Sequence, residues 1–296
     1  MAGEFLSNTE KLQRASKVEA WKKEPIHVID YPSGVAQDGR RYPEGRRLII
    51  SGEQVMDTCE IPWCKTAVDD VFQGIRLDPS LHDENEHSNS LKPPLRVLER
   101  GHGLGISGRF IIQKLISLGY PSTYTVVELN HMVANSARNW KESLEHGLQS
   151  LAYGLVDTLP QIHMQVIEKD AYEATEDFIK NGDKFDIIFS DTYPLTEAES
   201  GANDIGDIDR LKKCLSPNGR LAYFGLDLDS SHFDSDTYER TGGISGSYKM
   251  FIENHFNQTR RHSVAVNPPP DYLYLHKDGI PIRRLPAITC IGPTFD

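Results

Sequence analysis

From about residue 95 onward, short runs rich in β-branched and aromatic residues alternate with longer stretches that turn apolar every third or fourth position. The β-rich runs are 96–100, 124–128, 164–168, 185–190 and 220–224, and the helical stretches are 106–118, 132–145, 172–180 and 207–215. Each crossover between parallel strands must lay a helix on a sheet face, so the alternation predicts a doubly wound, mostly parallel α/β sheet. One more helix follows past Ser245. Two last apolar runs, RRHSVAVNPPPDYLYL and LPAITCIG, predict a closing antiparallel pair.

The segment ahead of the sheet is patterned differently. Residues 1–50 are polar with turn signals at Pro32-Ser33-Gly34 and Asp38-Gly39, and read as an extension with one short helix over about 8–22. From Glu53 to Gly74, Val55, Met56, Ile61, Val68, Val71 and Phe72 recur at roughly helical spacing, with Pro62 as a break or helix start. The stretch 76–94 is polar, ends in a Pro pair and reads as an exposed loop. The expected organisation is an extension over 1–50 and a catalytic domain over 51–296 that includes a helical cover at 51–75.

Composition removes several classes of function. A formal charge of −11, from 32 basic and 43 acidic residues, argues against a nucleic-acid or anionic-membrane surface and tolerates a cationic ligand. Four cysteines, at 59, 64, 214 and 290, form no CxxC pair, so no zinc site, other metal site or disulfide framework is expected, and reduced cytoplasmic thiols are the plain reading. The first twenty residues are charged throughout, and no stretch approaches the ~20 apolar residues of a membrane span.

The candidate chemistry sits at the ends of the predicted strands, where ligands of such sheets bind. VLERGHGLGIS, residues 97–107, runs from a strand through Gly101, Gly103 and Gly105 into a helix, the general arrangement of a nucleotide-cofactor loop. Glu128 stands at the tip of the second strand, placed to accept two hydrogen bonds from ribose hydroxyls. Asp170 ends the third strand as an acceptor for an adenine amine, and the fourth ends in FSDTYPL with Asp191. Glycines alone leave a nicotinamide enzyme and an S-adenosylmethionine-dependent methyltransferase equally open; successive strand-tip acids and the antiparallel tail favour the methyltransferase. Other readings remain for single residues: Glu128, Asp170 or Glu60 as helix caps, Glu99 as an anchor of the loop, and Arg100 and His102 as surface residues.

VMDTCEIPWC (55–64), VLERGHGLGI (97–106), VVELN (126–130), FDIIFSDTYPL (185–195) and VNPPPDYLY (266–274) resemble, in order, the motifs of guanidinoacetate N-methyltransferase and its arginine-methylating relatives. The resemblance runs from about 46 to 292, and DTYPL is its most specific part. It implies a class I methyltransferase fold with S-adenosyl-L-methionine as cofactor. Met56 and Cys64 would flank that cofactor, Cys64 departing from the usual methionine. Glu99, Gly101 and Gly103 would line it, with Leu104, Leu129 and Asn130 beside them in the same motifs; Glu128 would take the ribose, and Ala171 and Tyr172 would border the adenine. Glu60 and Asp191 match the acids that grip a guanidinium.

Physical chemistry supports two acids there. A guanidinium nitrogen is a poor nucleophile until its proton or charge is drawn away, and a carboxylate both does this and matches the planar cation through paired hydrogen bonds. Asp191 would orient the nucleophile and accept its proton, while Glu60 would hold the remaining N–H groups. The backbone after the fifth strand, which in the family holds an acidic tail, reads GLDLDSS (225–231), putting Leu226, Asp227 and Asp229 in the acceptor pocket. An acid repels a carboxylate. The expected substrate is therefore a small guanidine or amine with an amino-bearing tail, as in arginine, agmatine or another diamine-like molecule, unless Asp227 and Asp229 both face solvent, with Tyr193, Trp63 and Tyr172 as aromatic faces for a cation. A protein-arginine methyltransferase and a cofactor-binding regulator without catalysis are the alternatives, and a homo-oligomer is compatible with either.

Overall fold

A computed structural model describes residues 8–36, 39–75, 94–155, 161–195, 205–224, 252–272 and 282–294. It opens with α1 (Asn8–Lys23), followed by β1 (Ile26–Tyr31), β2 (Gly34–Val35), β3 (Arg41–Tyr42), β4 (Gly45–Ile50) and β5 (Glu53–Asp57), then a 3-10 turn at Thr58–Glu60 and α2 (Ile61–Phe72). The α/β body follows as β6 (Leu95–Arg100), α3 (Ile106–Leu118), β7 (Ser122–Glu128), α4 (His131–Leu155), β8 (Ile162–Glu168), α5 (Ala171–Asn181), β9 (Phe185–Ser190), α6 (Ile205–Lys213) and β10 (Leu215–Tyr223). β11 (Phe256–Ala265) and β12 (Arg284–Pro293) close it.

Seven strands form one sheet in the order β11-β12-β10-β9-β6-β7-β8. β8, β7, β6, β9 and β10 are parallel, while β12 runs antiparallel to both β10 and β11. This is the doubly wound, mostly parallel arrangement with a closing antiparallel pair that the alternating pattern predicts, and the class I methyltransferase fold that the resemblance implies. Parallel strands buried on both faces read as continuous apolar runs, as in Phe185–Ser190, where five of the six residues are buried. On one face, Trp63, Val68, Ile111 and Val133 from α2, α3 and α4 share a core; on the other, Ala174, Ile208 and Leu211 from α5 and α6 share a second.

The register places Arg100, Val127 and Ser190 side by side at the carboxyl edge. Strand order reverses between β6 and β9, and a crevice opens at such a switch point. Everything placed there is set by how these two strands end.

The amino-terminal region departs from its sequence reading. Residues 53–57 are a strand, not the start of a helix, and β1, β4 and β5 make an antiparallel sheet that the polar composition of 1–50 conceals. The apolar content at 53–57 is too short a run for its period to separate strand from helix. A division at residue 50 falls inside the β4–β5 hairpin, whose turn holds Ser51 and Gly52 at φ 53° and 81°. The predicted loop at 76–94 and most of the helix expected past Ser245 lie outside the described residues.

Candidate active site

After β6, Gly101, Gly103 and Gly105 all take positive φ, 79°, 51° and 69°, which a side chain would strain. A Cβ at Gly101 would stand 2.1 Å from the Asp191 carbonyl oxygen, and one at Gly103 would stand 2.7 Å from Met56 Sδ. The protein's own β9 tip and β5 are thus what these glycines first make room for, and the ligand comes second. The loop is fixed from below. Glu99 is fully buried and accepts from Ser107 Oγ (2.5 Å) and Tyr124 Oη (2.5 Å), with His102 Nδ1 at 2.9 Å. Glu128 accepts from the backbone N–H of His102 (2.9 Å) and, with its other oxygen, from that of Asn130 (2.9 Å).

A cleft with about 660 Å³ of space open to solvent runs along this edge, within the range of small-molecule sites. Glu128, Leu129, Gly101 and Gly103 line its middle, and Asp170, Ala171 and Tyr172 line one end. Met56, Asp191 and Tyr193 also line it. Glycines, a strand-tip acid and a further acid with an aromatic neighbour are what a nucleoside needs of its site.

The helix α1 packs over this cleft. Arg14 donates to both oxygens of Asp170 (3.0 and 2.8 Å) and lies over the Tyr172 ring, 4.4 Å from its centroid. Lys17 Nζ donates to the Leu195 carbonyl (2.8 Å), and Trp21 stacks on Tyr193 with centroids 5.3 Å apart and planes 11° apart. Asn130 ties down the helix end by donating to the carbonyls of Trp21 and Glu24, both at 2.9 Å.

Two acids, Asp191 in the cleft wall and Glu60 behind it, lie close enough for their charges to interact. Asp191 follows β9 and its backbone N–H donates to the Arg100 carbonyl (2.9 Å). Among the described residues nothing hydrogen-bonds its carboxylate. Burial first, and then the charge of Glu99, push that carboxyl up to about 7. Glu60 ends the 3-10 turn, whose first N–H groups are served instead by Asp57, which accepts from Cys59 N at 2.8 Å. Its side chain caps no helix; it turns inward, where Tyr272 Oη donates to Oε1 at 3.0 Å. Burial and then the nearby Asp191 charge hold the Glu60 carboxyl well above its ordinary range. Burial likewise lifts the Cys64 thiol, reinforced by Asp191 and Glu60.

The wall of the cleft therefore contains Met56, Gly101, Gly103, Glu128, Leu129, Asp170, Ala171, Tyr172, Asp191 and Tyr193 of the residues singled out in the sequence. Glu60, Cys64, Glu99, Leu104 and Asn130 lie behind it: Cys64 is packed in the core, Leu104 donates its N–H toward Met56 Sδ (3.1 Å), and Asn130 caps α4 through Met132 N and Val133 N. Asp170 also caps its helix, accepting from Glu173 N at 3.1 Å. Trp63 is no face for a ligand. It is buried against Phe189 and Phe224 and donates Nε1 to the Pro286 carbonyl. Arg100 and His102 are not at the surface either: Arg100 is wholly buried and pairs with Asp207 at 2.7 Å. Leu226, Asp227 and Asp229 lie outside the described residues. Sequence reasoning missed Arg14, Trp21 and Tyr272, which reach the site from far along the chain.

No family model matches the chain, and no curated protein matches it in sequence. Solved structures with a similar fold include a probable spermidine synthase from Corynebacterium glutamicum ATCC 13032, at 16% identity and TM-score 0.44, covering 91% of this chain and 77% of that one. A SAM dependent methyltransferase from Agrobacterium tumefaciens matches at 14% identity and TM-score 0.43, covering 88% and 76%. An O-methyltransferase family protein from Burkholderia thailandensis matches at 9% and 0.42, covering 79% of this chain and 57% of that protein. The strand order described above carries the assignment of the fold. Among the described residues no group of His, Cys, Asp and Glu could hold a metal ion, and no helix is long and apolar enough to cross a membrane.

Proposed function

We propose that this chain is an S-adenosylmethionine-dependent N-methyltransferase acting on a small cationic guanidine or amine, in the manner of the guanidinoacetate N-methyltransferase family. The observation that carries the reading is a pair of acids, Glu60 buried and Asp191 partly buried in the cleft wall, with no cation bound to either among the described residues. Burying carboxylates without a positive partner is costly, and such an arrangement marks a site shaped for a ligand of opposite charge.

The cleft fits the cofactor in ways that do not depend on this pair. Gly101 and Gly103 leave the loop backbone bare beside Glu128, whose carboxylate still has acceptor positions for a ribose. Asp170 accepts three hydrogen bonds, from Arg14 twice and Glu173 once, which leaves one of about four acceptor positions for an adenine amine. Tyr172 and Ala171 border that position. When bound, the cofactor supplies a methyl group carried on a sulfonium.

The chain's own residues do the rest. Asp191, ionised, pairs with the acceptor's N–H groups, draws positive charge from the attacking nitrogen and takes the proton that methylation releases. Its elevated proton affinity suits it to that task near neutral pH. Glu60 adds the second negative charge behind it and fixes where the cation rests. Tyr193 and Trp21 close the wall beside Asp191 and limit water at the reacting nitrogen. The only base in the cleft wall among the described residues is Arg14, already engaged at the opposite end, so the described acceptor end offers a carboxylate tail no partner. Acceptors with an amino-bearing tail, such as arginine, agmatine or a diamine, are favoured.

Incubation with methyl-labelled S-adenosylmethionine and a library of guanidines, amines, alcohols and carboxylic acids, read by mass spectrometry, tests this directly. Label on a cationic nitrogen is the expected product. Label confined to oxygen or carbon acceptors would overturn the proposal.

A further inference from the structure

Glu60 must point one way to be of use, and within its own segment only the Asp57 backbone N–H bonds to its carboxylate. It stands at the start of α2, yet its side chain makes no capping bond. What directs it comes from more than two hundred residues away. Tyr272, buried at 1% exposure, donates its hydroxyl to Glu60 Oε1 at 3.0 Å. One oxygen of that carboxylate is thereby held, within range of the Asp191 charge.

Tyr272 is itself held in register with the turn that carries Glu60. Its neighbour Asp271 takes both terminal nitrogens of Arg47, at 2.7 and 2.9 Å. The Nε of the same guanidinium reaches Asp57 at 3.3 Å. Asp57 caps the turn at Cys59 N and accepts from Tyr31 Oη at 2.5 Å. One arginine thus clamps the Pro268–Tyr272 corner to the 57–60 turn, and the two partners of the Tyr272–Glu60 bond cannot drift apart independently. Among the described residues, the Asp191 and Asp57 carboxylates, the Asp57 backbone N–H and the Tyr272 hydroxyl bear on Glu60, so the hydroxyl is the side-chain donor beside two further acids.

From this geometry we infer that Tyr272 is a positioning residue for the acceptor site, orienting the Glu60 carboxylate toward the bound cation. The inference rests on the proposed function for its ligand class. Without the hydroxyl, Glu60 would lose its one side-chain donor in a buried acidic setting, and its carboxylate would be less fixed and harder to ionise beside the cation.

The test is a double-mutant cycle on binding of the guanidinium ion, far below denaturing concentration, to the protein saturated with S-adenosylhomocysteine. Tyr272→Phe keeps the ring and its packing. It is expected to weaken guanidinium binding by about three- to tenfold, a fraction of what a hydrogen bond to a charged group can contribute. In a Glu60→Gln background the same change should have no effect. Asp271→Asn, which loosens the corner and leaves the ring in place, should produce a smaller fall that also vanishes in the Glu60→Gln background. Equal losses in both backgrounds would mean Tyr272 serves only the fold, and would overturn the inference, as would an unchanged affinity in Tyr272→Phe. If the wild-type protein binds S-adenosylhomocysteine but no guanidinium ion, the proposed acceptor class fails and the inference falls with it; only in the former two results does the proposed function stand alone.

Discussion

Asp191 is where the chemistry of a single residue decides most. Its carboxyl titrates at about 7 in the folded protein against an ordinary value of 3.8. The folded state holds that proton more tightly than the unfolded state, so the group costs the fold nothing below about pH 4 and increasingly destabilises it as pH rises toward 7. A bound cation reverses the preference. Guanidinium binding should therefore release at least one proton below about pH 7, Glu60 adding to the count as it ionises, and affinity should climb with pH through that value. Calorimetry at pH 6 in buffers of different ionisation enthalpy would measure the proton count, and zero protons released would count against an ionised Asp191 in the complex. At Glu60, exchange for Gln should raise the Michaelis constant of the acceptor about tenfold or more and leave cofactor affinity in place. Asp191 and Glu128 were legible in the sequence because a strand tip announces itself by its period. Arg14, Trp21 and Tyr272 were not, because their partners lie 156, 172 and 212 residues away and no local pattern encodes the pairing.

Among the elements, the β6–α3 loop and α1 matter most for the site. Gly101→Ala would drive a methyl into the Asp191 carbonyl at a φ of 79°. The expected cost is about 1–3 kcal/mol of strain or more, visible in denaturant unfolding, with turnover lost because β9's end must shift. The anchor of α1 is a largely buried ion pair, so Arg14→Ala should destabilise the protein by about 3 kcal/mol by leaving Asp170 with its charge unmatched. Asp170→Asn in the same chain should return part of that loss; no recovery would mean that packing, not charge, holds the helix. The helices at 106–118 and 8–22 and the strand at 185–190 were readable nearly to the residue, since caps, glycines and apolar runs are local signals. The β1-β4-β5 sheet was not. Its strands alternate weakly, with Val28 and Ile29 both exposed, so neither face stands out as buried.

At the scale of the whole molecule, the switch between β6 and β9 brings the glycine loop and Asp191 together from opposite directions in the sheet, while α1 packs over the cleft and the 268–272 corner reaches Glu60 behind it. Folding and ligand occupancy are then linked. S-Adenosylmethionine at a hundred times its dissociation constant should stabilise the protein by about 2.7 kcal/mol and raise its melting temperature by several degrees. A nicotinamide dinucleotide at the same excess should do neither.

The most direct measurement is made on Asp191→Asn, which keeps the shape of the side chain and removes its charge. Methyl transfer to the best cationic acceptor and S-adenosylmethionine affinity should be determined together for this variant and the parent. The expected result is turnover reduced at least a hundredfold with cofactor affinity within about tenfold, or 1.4 kcal/mol. Turnover close to that of the parent would contradict the account.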